Sequence, residues 1–543
     1  MNNAIYRFQL PKNEPVKSYA PGTEERKLIL EELERQKNMQ VEIPLIIGGK
    51  EIKTGDLGDV VMPHDHQHKL GVYHKASEKE VQMAVDAAMA AKKEWGELPF
   101  EDRAAVMLKV GELIATKYRY VMNAATMLGQ SKTPHQAEIE SACEIVDFLR
   151  FNCAYASQIY ADQPMQMTDH YNRVEYRPLE GFVFVVSPFN FTAIAGNLNA
   201  APVLMGNTTV WKPATTSLLS SYYLMKIFQE AGVPDGVINF VPGQGRVLGG
   251  VCLTHPDLGG IHFTGSTGTF NHMWKTVGDN LKGYKSYPKL VGETGGKDFV
   301  VAHPSADALD VATGLVRGSF EYQGQKCSAA SRAYVPESMW PEVKMHMKEM
   351  VGRIKMGDIC DFTTFMGAVI DEPSFDNIKK HIDIAKESQD AEIAIGGVCD
   401  KSKGYFIEPT VIEAKDPKFI TMEEELFGPV LTVYVYEDSK FDETLDLVDQ
   451  TSPYALTGAV FSKDRYALKR ASDKLRYAAG NFYYNDKPTG AVVGQQPFGG
   501  ARGSGTNDKA GSYLNLVRWV NPRTIKEVFV SATDFPYPYM SEE

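Results

Sequence analysis

Short apolar runs alternate with helical stretches from Gly181 onward. This alternation restricts the possible folds of the chain more than any other feature of the sequence. The run 182–186 is apolar at every position, as expected of a parallel strand covered on both faces. Three further short runs read as strands, at 208–211, 237–241 and 260–263. The pattern predicts an α/β protein built on a doubly wound parallel sheet, and such sheets bind ligands beyond the carboxyl ends of their strands.

The regions on either side of these strands predict helices and two polar strands. Apolar residues recur with helical spacing in four stretches, which predicts helices at 24–38, 77–98, 101–128 and 134–158. Polar strands near 169–178 and 517–530 interrupt the strand–helix alternation, and by themselves they read as ordinary edge strands. The sequence contains no internal repeat and no low-complexity tract.

The composition is that of an ordinary globular protein, and it argues against several classes of function. The 543 residues suffice for two or three domains, and 43% of them are hydrophobic. A formal net charge of −12 argues against nucleic acid as a main partner. No apolar run approaches the roughly 20 residues of a membrane helix. Six scattered cysteines without paired spacing predict free thiols in a reducing compartment and no metal site.

The first residues carry no apolar signal core, and the acidic residues Glu14, Glu24 and Glu25 come early. Both features differ from secretory signals and from arginine-rich transit peptides. The sequence therefore predicts a cytoplasmic protein, or a protein of the mitochondrial matrix if a leader has been removed.

One cysteine and one glutamate stand in glycine-containing stretches that suit covalent catalysis. Cys327 lies between Lys326 and Ser328, shortly after Gly324, and Glu293 stands among glycines upstream. A nearby positive charge stabilises a reactive thiolate, and Lys326 is the candidate for that charge. Gly324 would let the backbone approach a small substrate. A cysteine with a glutamate base is a recognisable catalytic pair, although a cysteine taken alone is more often a small buried apolar residue.

Five stretches together resemble the signatures of the aldehyde dehydrogenase superfamily; they cover 187–191, 292–297, 324–328, 424–430 and 497–505. The resemblance extends from about residue 40 to about residue 530. Within the superfamily, Lys326, Ser328 and the loop 489–498 are similar to the enzymes that oxidise L-glutamate γ-semialdehyde to L-glutamate with NAD, a step of proline catabolism. Another semialdehyde dehydrogenase and a catalytically silent binding protein on the same scaffold remain the alternatives.

The resemblance also implies a domain organisation. It predicts a Rossmann-type NAD-binding domain at 1–161 and 181–292, an α/β catalytic domain at 293–504, and a small β oligomerisation flap from 162–180 and 505–543. Because this flap bridges subunits in the family, we expect a homodimer or a higher homo-oligomer. The chain has no spare length for the flavin domain of the bifunctional proline-oxidising relatives. A proline dehydrogenase would therefore be a separate and transient partner.

The resemblance assigns catalytic roles to three residues. Cys327 is implied as the nucleophile, which forms a thiohemiacetal and then a thioester with the aldehyde carbon. The side-chain amide of Asn190 and the backbone N–H of Cys327 are implied as donors to the oxyanion. Glu293 is implied as the base that activates the hydrolytic water. Taken alone, an asparagine such as Asn190 is usually a turn residue.

Seven residues are implied as contacts of the cofactor: Ser187, Lys212, Gly245, Gly265, Ser266, Glu425 and Phe427. The spacing of Gly243 and Gly245 does not match a standard dinucleotide fingerprint, and a simple turn is an equal alternative. Ser266 can cap a helix and offer its hydroxyl to phosphate. Thr215 stands where many NAD-preferring relatives have an acid, so we expect NADP to be tolerated beside NAD.

Seven residues are implied as contacts of the substrate: Phe191, Lys326, Ser328, Gly490, Ala491, Phe498 and Glu144. Ser328 and the backbone N–H groups of Gly490 and Ala491 would clamp the α-carboxylate, because short glycine-containing loops present N–H groups to anions. Phe191 and Phe498 would flank the aliphatic chain, although core packing is the commoner role of phenylalanine. Glu144 is expected at the substrate entrance.

Overall fold

Two seven-stranded sheets organise the structure, a computed structural model that describes residues 6–542. The strands of the first sheet, from edge to edge, are Lys289–Glu293, Leu258–Thr264, Phe182–Val186, Thr209–Lys212, Ile238–Phe240, Leu45–Ile47 and Lys50–Ile52. The first five are parallel; Leu45–Ile47 pairs antiparallel with Ile238–Phe240, and Lys50–Ile52 pairs antiparallel with Leu45–Ile47. The chain order reverses between Phe182–Val186 and Leu258–Thr264, which is where doubly wound sheets bind ligands. The predicted α/β fold is thus confirmed.

Strand Phe182–Val186 shows why this sheet is covered on both faces. Val183 and Val185 pack into one apolar cluster, whereas Phe182, Phe184 and Val186 pack into a second cluster on the other face. Side chains of a strand alternate between faces, so a continuous apolar run needs a cover on each side. The helices of this half of the chain are Glu24–Lys37, Glu78–Glu97, Phe100–Ala115, Arg119–Gln130, Pro134–Ala137, Ile145–Ala161, Thr192–Leu204, Leu218–Ala231, Gly245–Cys252 and Thr267–Asp279.

The second sheet repeats this arrangement in the other half of the chain. Its strands, from edge to edge, are Ala391–Ile395, Thr410–Ala414, Val430–Tyr436, Ala330–Pro336, Asp298–Ala302, Thr457–Phe461 and Asn481–Tyr484. The first is antiparallel to its neighbour, and the other six are parallel. The helices here are Ala308–Phe320, Trp340–Gly352, Glu372–Glu387, Ile420–Glu423, Phe441–Thr451, Arg465–Lys474 and Tyr513–Leu516.

Four small sheets complete the fold. The three-stranded one consists of Val41–Ile43, Asp65–His74 and Leu57–Met62, and two of the two-stranded ones pair Cys399–Asp400 with Phe406–Ile407 and Tyr454–Ala455 with Ala501–Arg502. In the fourth, His170–Pro178 pairs antiparallel with Val520–Val528 over nine residue pairs. The two polar stretches predicted as strands are therefore each other's partners.

The single helix predicted at 101–128 is wrong, because the chain breaks it into Phe100–Ala115 and Arg119–Gln130. Thr116 leaves helical geometry with φ −116° and ψ −84°, and its hydroxyl donates to the carbonyl of Glu112. Such local side-chain bonds offer the backbone an alternative to the helix. The stretch predicted as one helix at 134–158 contains a π-helical segment, Glu138–Glu144, between α-helical ends.

The remaining sequence expectations concern membranes, metals and disulfides. The helices within residues 6–542 are all too short or too polar to cross a membrane. The same residues contain no cluster of histidine, cysteine and acidic side chains that could hold a metal ion. The six cysteines are free thiols.

Candidate active site

Two cavities meet at Cys327. The larger has a volume of about 1010 Å³ and lies at the carboxyl ends of the first sheet's strands. The smaller has a volume of about 440 Å³ and lies between the segment Glu138–Glu144 and the loop 487–498. Cys327 lines both of them. A group bound in one cavity can therefore meet a group bound in the other at the sulfur of Cys327.

The backbone before Cys327 is an unusual turn that the glutamines of the sequence motif hold in place. Tyr322, Gln323 and Gly324 have φ angles of 51°, 55° and 65°, in the left-handed region. The amide of Gln323 donates to the carbonyls of Ser131 and Ala368 at 3.0 and 2.8 Å. Such bonds stabilise a turn that non-glycine residues rarely adopt.

Gly324 does not have the role expected from the sequence. A Cβ atom at this position would lie 2.2 Å from the carbonyl oxygen of Gly428, and the φ of 65° also favours glycine. The glycine therefore allows two backbone segments to pack together. It does not serve the approach of a substrate.

The environment of the Cys327 thiol favours its neutral form. Burial raises its pKa well above the ordinary value, and the nearby carboxyl groups of Asp298 and Glu293 add to the effect. Lys326, the expected source of positive charge, lies within 3.3 Å of Glu321 and lines the smaller cavity. The expectation that Lys326 activates the thiol is therefore not supported by the geometry.

Asn190 lies in the larger cavity, directly after the strand Phe182–Val186 and the loop that follows it. Its buried amide donates one hydrogen bond of 3.0 Å to the carbonyl of Gln325, two residues before the cysteine. A side-chain amide has two N–H donors, so the second is available to an oxygen on the carbon that Cys327 attacks.

Glu293 is placed differently from the other two predicted catalytic residues, because it lines neither cavity. It ends the edge strand Lys289–Glu293 and packs beside Gly499, where a Cβ atom would lie 3.1 Å from its Oε1. Its Oε2 is buried and has no hydrogen-bond partner among residues 6–542. Burial raises its pKa well above the ordinary value, and only the charge of Lys509 and a backbone bond from Gly500 oppose this. In this position burial favours the neutral, protonated form of the carboxyl group.

The larger cavity brings together all seven residues predicted to contact the cofactor; it is lined by Ser187, Lys212, Gly245, Gly265, Ser266, Glu425 and Phe427. Burial lowers the pKa of Lys212 to about 8 and raises that of Glu425 to about 7. The Oε1 of Glu425 accepts a hydrogen bond of 2.8 Å from the backbone N–H of Gly296. Phe427, at a φ of 55°, packs edge-on against Phe189.

Two helix N-termini open on the larger cavity. Gly245 begins the helix Gly245–Cys252, so the glycine turn is also a helix start. Ser266 caps the helix Thr267–Asp279, and its hydroxyl accepts from the N–H of Thr269, as predicted. The free N–H groups and dipoles of helix starts favour anions. Ala214 lines the cavity beside Lys212, while Thr215 begins the next short turn.

The smaller cavity brings together all seven residues predicted to contact the substrate; it is lined by Phe191, Lys326, Ser328, Gly490, Ala491, Phe498 and Glu144. The hydroxyls of Ser328 and Thr489 share a hydrogen bond of 2.8 Å. Gly490 has a φ of 99°, and a Cβ atom there would lie 3.5 Å from the ammonium nitrogen of Lys487. Burial and the neighbouring Glu140 raise the pKa of Glu144 to about 8.

A buried ion pair that the sequence analysis missed forms one wall of the smaller cavity. Lys132 donates to Glu140 at 2.9 Å, and both side chains are at most 1% exposed. The ammonium of Lys132 also lies 4.2 Å from the ring centre of Phe191 and 4.4 Å from that of Tyr322. Glu140 itself lines the cavity. Nothing in the sequence distinguishes this acid from the exposed acids of other helices.

The sequence analysis also missed an N-terminal contribution. Asn13, Glu14 and Val16 line the smaller cavity from a segment without helix or strand. The prolines at 11 and 15 favour an extended chain, but they do not indicate where it lies.

Comparisons with known proteins identify the family to which the chain belongs. The profile "Aldehyde dehydrogenase family" matches residues 52–525. The chain is 54% identical over 533 residues to the protein named "Delta-1-pyrroline-5-carboxylate dehydrogenase, mitochondrial" of Dictyostelium discoideum, and the match covers 98% of this chain and 96% of that one. The crystal structure of the Delta-pyrroline-5-carboxylate dehydrogenase from Mycobacterium tuberculosis bound with NAD is 50% identical, with a TM-score of 0.96 and full coverage of both chains.

A crystal structure of proline utilization A from Bdellovibrio bacteriovorus is more distant. It is 29% identical with a TM-score of 0.91, over 97% of this chain and 54% of that one. The profile and the first relative each match most of the chain, at an identity well above what a shared fold alone would require. This chain belongs to the aldehyde dehydrogenase family.

Proposed function

We propose that this protein oxidises L-glutamate γ-semialdehyde to L-glutamate with NAD as the electron acceptor, in the breakdown of proline. The observation that carries the proposal is the position of Cys327, which lines both cavities. Ser328, Gly490 and Ala491 lie in the smaller cavity and can hold the α-carboxylate while the aldehyde carbon lies at the sulfur. The names of the relatives described above support the same reaction.

The larger cavity fits the dinucleotide. Its two helix starts suit the pyrophosphate, and Lys212 and Glu425 would supply a partly buried donor and a partly buried acceptor for the two riboses. NAD bound here would supply the acceptor for the hydride that leaves the carbon attached to Cys327. The residues of this cavity would bind and orient it, and Phe427, which lines the cavity, would pack beside its nicotinamide end.

In carbon–sulfur bond formation, Cys327 acts as the nucleophile and Asn190 stabilises the oxyanion. The thiol loses its proton to water in the cavity, and the thiolate attacks the aldehyde carbon. The resulting oxyanion accepts hydrogen bonds from the free N–H of the Asn190 amide and from the backbone N–H of Cys327. Loss of hydride from that carbon turns the oxyanion into the carbonyl of a thioester.

Hydrolysis of the thioester falls to Glu293. Its carboxyl group lines neither cavity in the arrangement described above, and burial there favours its neutral form, so it must turn toward the larger cavity and ionise before it can act as a base. It then takes a proton from a water molecule, whose oxygen attacks the thioester carbon. The thiolate of Cys327 leaves, and L-glutamate is released.

A panel of aldehydes tests the proposal. Formation of the reduced nicotinamide is followed by its absorbance with L-glutamate γ-semialdehyde, succinate semialdehyde and propionaldehyde, each with NAD and with NADP. We expect the highest kcat/KM with L-glutamate γ-semialdehyde and NAD. A higher kcat/KM with succinate semialdehyde would reassign the substrate, and no NADH with any aldehyde would refute the enzymatic role.

We also propose the organisation expected from the sequence, with a cofactor domain at 1–161 and 181–292, a catalytic domain at 293–504, and a flap from 162–180 and 505–543. Tyr171 and Phe529 of this flap are about half exposed and pack against each other edge-on, which suits contact with a second copy. Light scattering should give the mass of a homodimer or a larger homo-oligomer.

For location, we propose the cytoplasm or the mitochondrial matrix; the name of the Dictyostelium discoideum relative describes that protein as mitochondrial, which supports the second location. A separate proline dehydrogenase is the proposed transient partner. Cell fractionation and co-purification from the source cells test these two proposals.

A further inference from the structure

An extended N-terminal strap, residues 7–20, crosses the smaller cavity. It forms no helix or strand, and Asn13, Glu14 and Val16 contribute to the cavity wall. Glu14 accepts hydrogen bonds from Arg119 at 2.7 Å and from Arg150 at 2.6 Å. The side chain of Glu14 is only 12% exposed and that of Arg119 only 2%. The strap is therefore packed into the protein by buried charges.

The strap also satisfies polar groups of the π-helical segment Glu138–Glu144. Glu138 accepts hydrogen bonds from the backbone N–H of Lys17 at 2.8 Å and from the hydroxyl of Tyr19 at 2.7 Å. The guanidinium of Arg119 donates to the carbonyl of Pro15 at 2.7 Å. Without the strap, Glu138 and Arg119 would lose these partners in the interior, which is costly for buried charged groups.

Asn13 joins the strap to both walls of the smaller cavity. Its amide nitrogen donates to Asp147 Oδ2 on the helix Ile145–Ala161 and to the carbonyl of Val493, each at 2.8 Å. Its amide oxygen accepts from Gln495 at 2.9 Å. All three polar positions of one amide are thus used, one toward the helix and two toward the loop 487–498.

The part of the loop that Asn13 holds is itself a rigid turn. The side chain of Gln496 accepts from the backbone N–H of Val492, and the N–H groups of Gln495 and Gln496 both donate to the carbonyl of Val492. Ala491, the proposed carboxylate contact, directly precedes this turn. A shift of the turn would therefore move the N–H groups of Gly490 and Ala491, while Cys327 is held by a different set of bonds.

We propose that Asn13 is a positioning residue for substrate recognition: it fixes the loop 487–498 at the distance from Cys327 that a substrate with a distal carboxylate requires. The inference rests on the proposed function, because it concerns the carboxylate of the same substrate. Asn13 acts through Val493 and Gln495. It has no part in carbon–sulfur bond formation or in hydride transfer.

The test separates recognition from chemistry in the intact protein. Asn13→Ala should raise the KM for L-glutamate γ-semialdehyde roughly tenfold, the size expected for lost hydrogen bonds at a charged site, with kcat changed less than about twofold. The KM for propionaldehyde, which has no carboxylate, should not change. Asn13→Asp keeps the shape but sets a carboxylate against Asp147 and the Val493 carbonyl, so its KM should rise at least as much.

Two further variants keep the result unambiguous. Asn38→Ala, an exposed asparagine at the end of the helix Glu24–Lys37, is the matched control and should behave as wild type. Gln495→Ala removes one bond to Asn13 from the loop side and should reproduce the selective KM increase even if Asn13→Ala fails to fold. Unchanged KM values, or equal losses with both aldehydes in a folded Asn13 or Gln495 variant, would overturn the inference. Failure of the wild-type protein to oxidise L-glutamate γ-semialdehyde would instead refute the proposed function.

Discussion

Replacement of Ser328 by alanine should reduce activity toward the carboxylated substrate while sparing simple aldehydes. Ser328 is buried beside Cys327, and its hydroxyl shares a hydrogen bond of 2.8 Å with Thr489. A hydroxyl has a single hydrogen, so when Ser328 donates to the substrate carboxylate, Thr489 must donate to Ser328. The two hydroxyls then form a short chain that ends on a charged group.

The magnitude follows from the charge of the acceptor. A hydrogen bond to a charged group contributes about 1.5–3 kcal/mol, which corresponds to a roughly ten- to hundredfold loss of kcat/KM for L-glutamate γ-semialdehyde in Ser328→Ala. Thr489→Val is the matched comparison, because it removes the neutral bond but leaves the donor of Ser328 in place. Its loss should be smaller, at most about tenfold, since a neutral hydrogen bond contributes about 0.5–1.5 kcal/mol.

The assay compares initial rates of NADH formation with L-glutamate γ-semialdehyde and with propionaldehyde. In Ser328→Ala, kcat/KM for propionaldehyde should stay within about twofold of wild type, because that aldehyde has no carboxylate to bind. Equal losses on the two aldehydes would refute the reasoning. They would mean that Ser328 supports the turn at Cys327 and does not contact the substrate.

Three further predictions concern the chemistry and the cofactor. Cys327→Ala should abolish NADH formation with every aldehyde but leave NAD binding measurable by calorimetry, and residual turnover near the wild-type rate would contradict its role as nucleophile. Glu293→Gln should give a burst of NADH followed by slow turnover, because an amide cannot take a proton from water. In the wild type the slow step should speed up as pH rises through the raised pKa of Glu293, and the glutamine variant should lack that rise. NADP should support activity more weakly than NAD, and Thr215→Glu should abolish the activity with NADP while the activity with NAD is retained. Complete inactivity of the wild type with saturating NADP would show that another group excludes the 2′-phosphate.

The sheets could be predicted from the sequence because their signals are local. The run 182–186 is apolar at every position, which a strand covered on both faces requires. The helix break at Thr116 could not be predicted, since the apolar spacing continues across it and the break depends on one hydroxyl and on packing. The π-helical segment Glu138–Glu144 is equally hidden, because one extra residue per turn hardly changes the apolar pattern.

The grouping of site residues could be expected from the family resemblance, but their orientations could not. Glu293 turns away from both cavities because Gly499 leaves room for its carboxyl group, and that space depends on a segment about 200 residues away in sequence. The contact of Lys326 with Glu321 is likewise a matter of three-dimensional packing. Lys132 lies in the loop before the helix Pro134–Ala137 and Glu140 lies eight residues later in the π-helical segment, and neither stretch shows a sequence signal for the burial of a charged residue.

The path of the N-terminal strap has a consequence for biosynthesis. Asn13 lies 480 residues before Val493, so it is synthesised long before either of its partners in the loop 487–498 exists. Its bond to Asp147 can form early, whereas its two bonds to the loop must wait until nearly the whole chain has been translated. The wall of the smaller cavity is therefore among the last parts of the protein to be completed on the ribosome, and contacts this distant in sequence are slow to form.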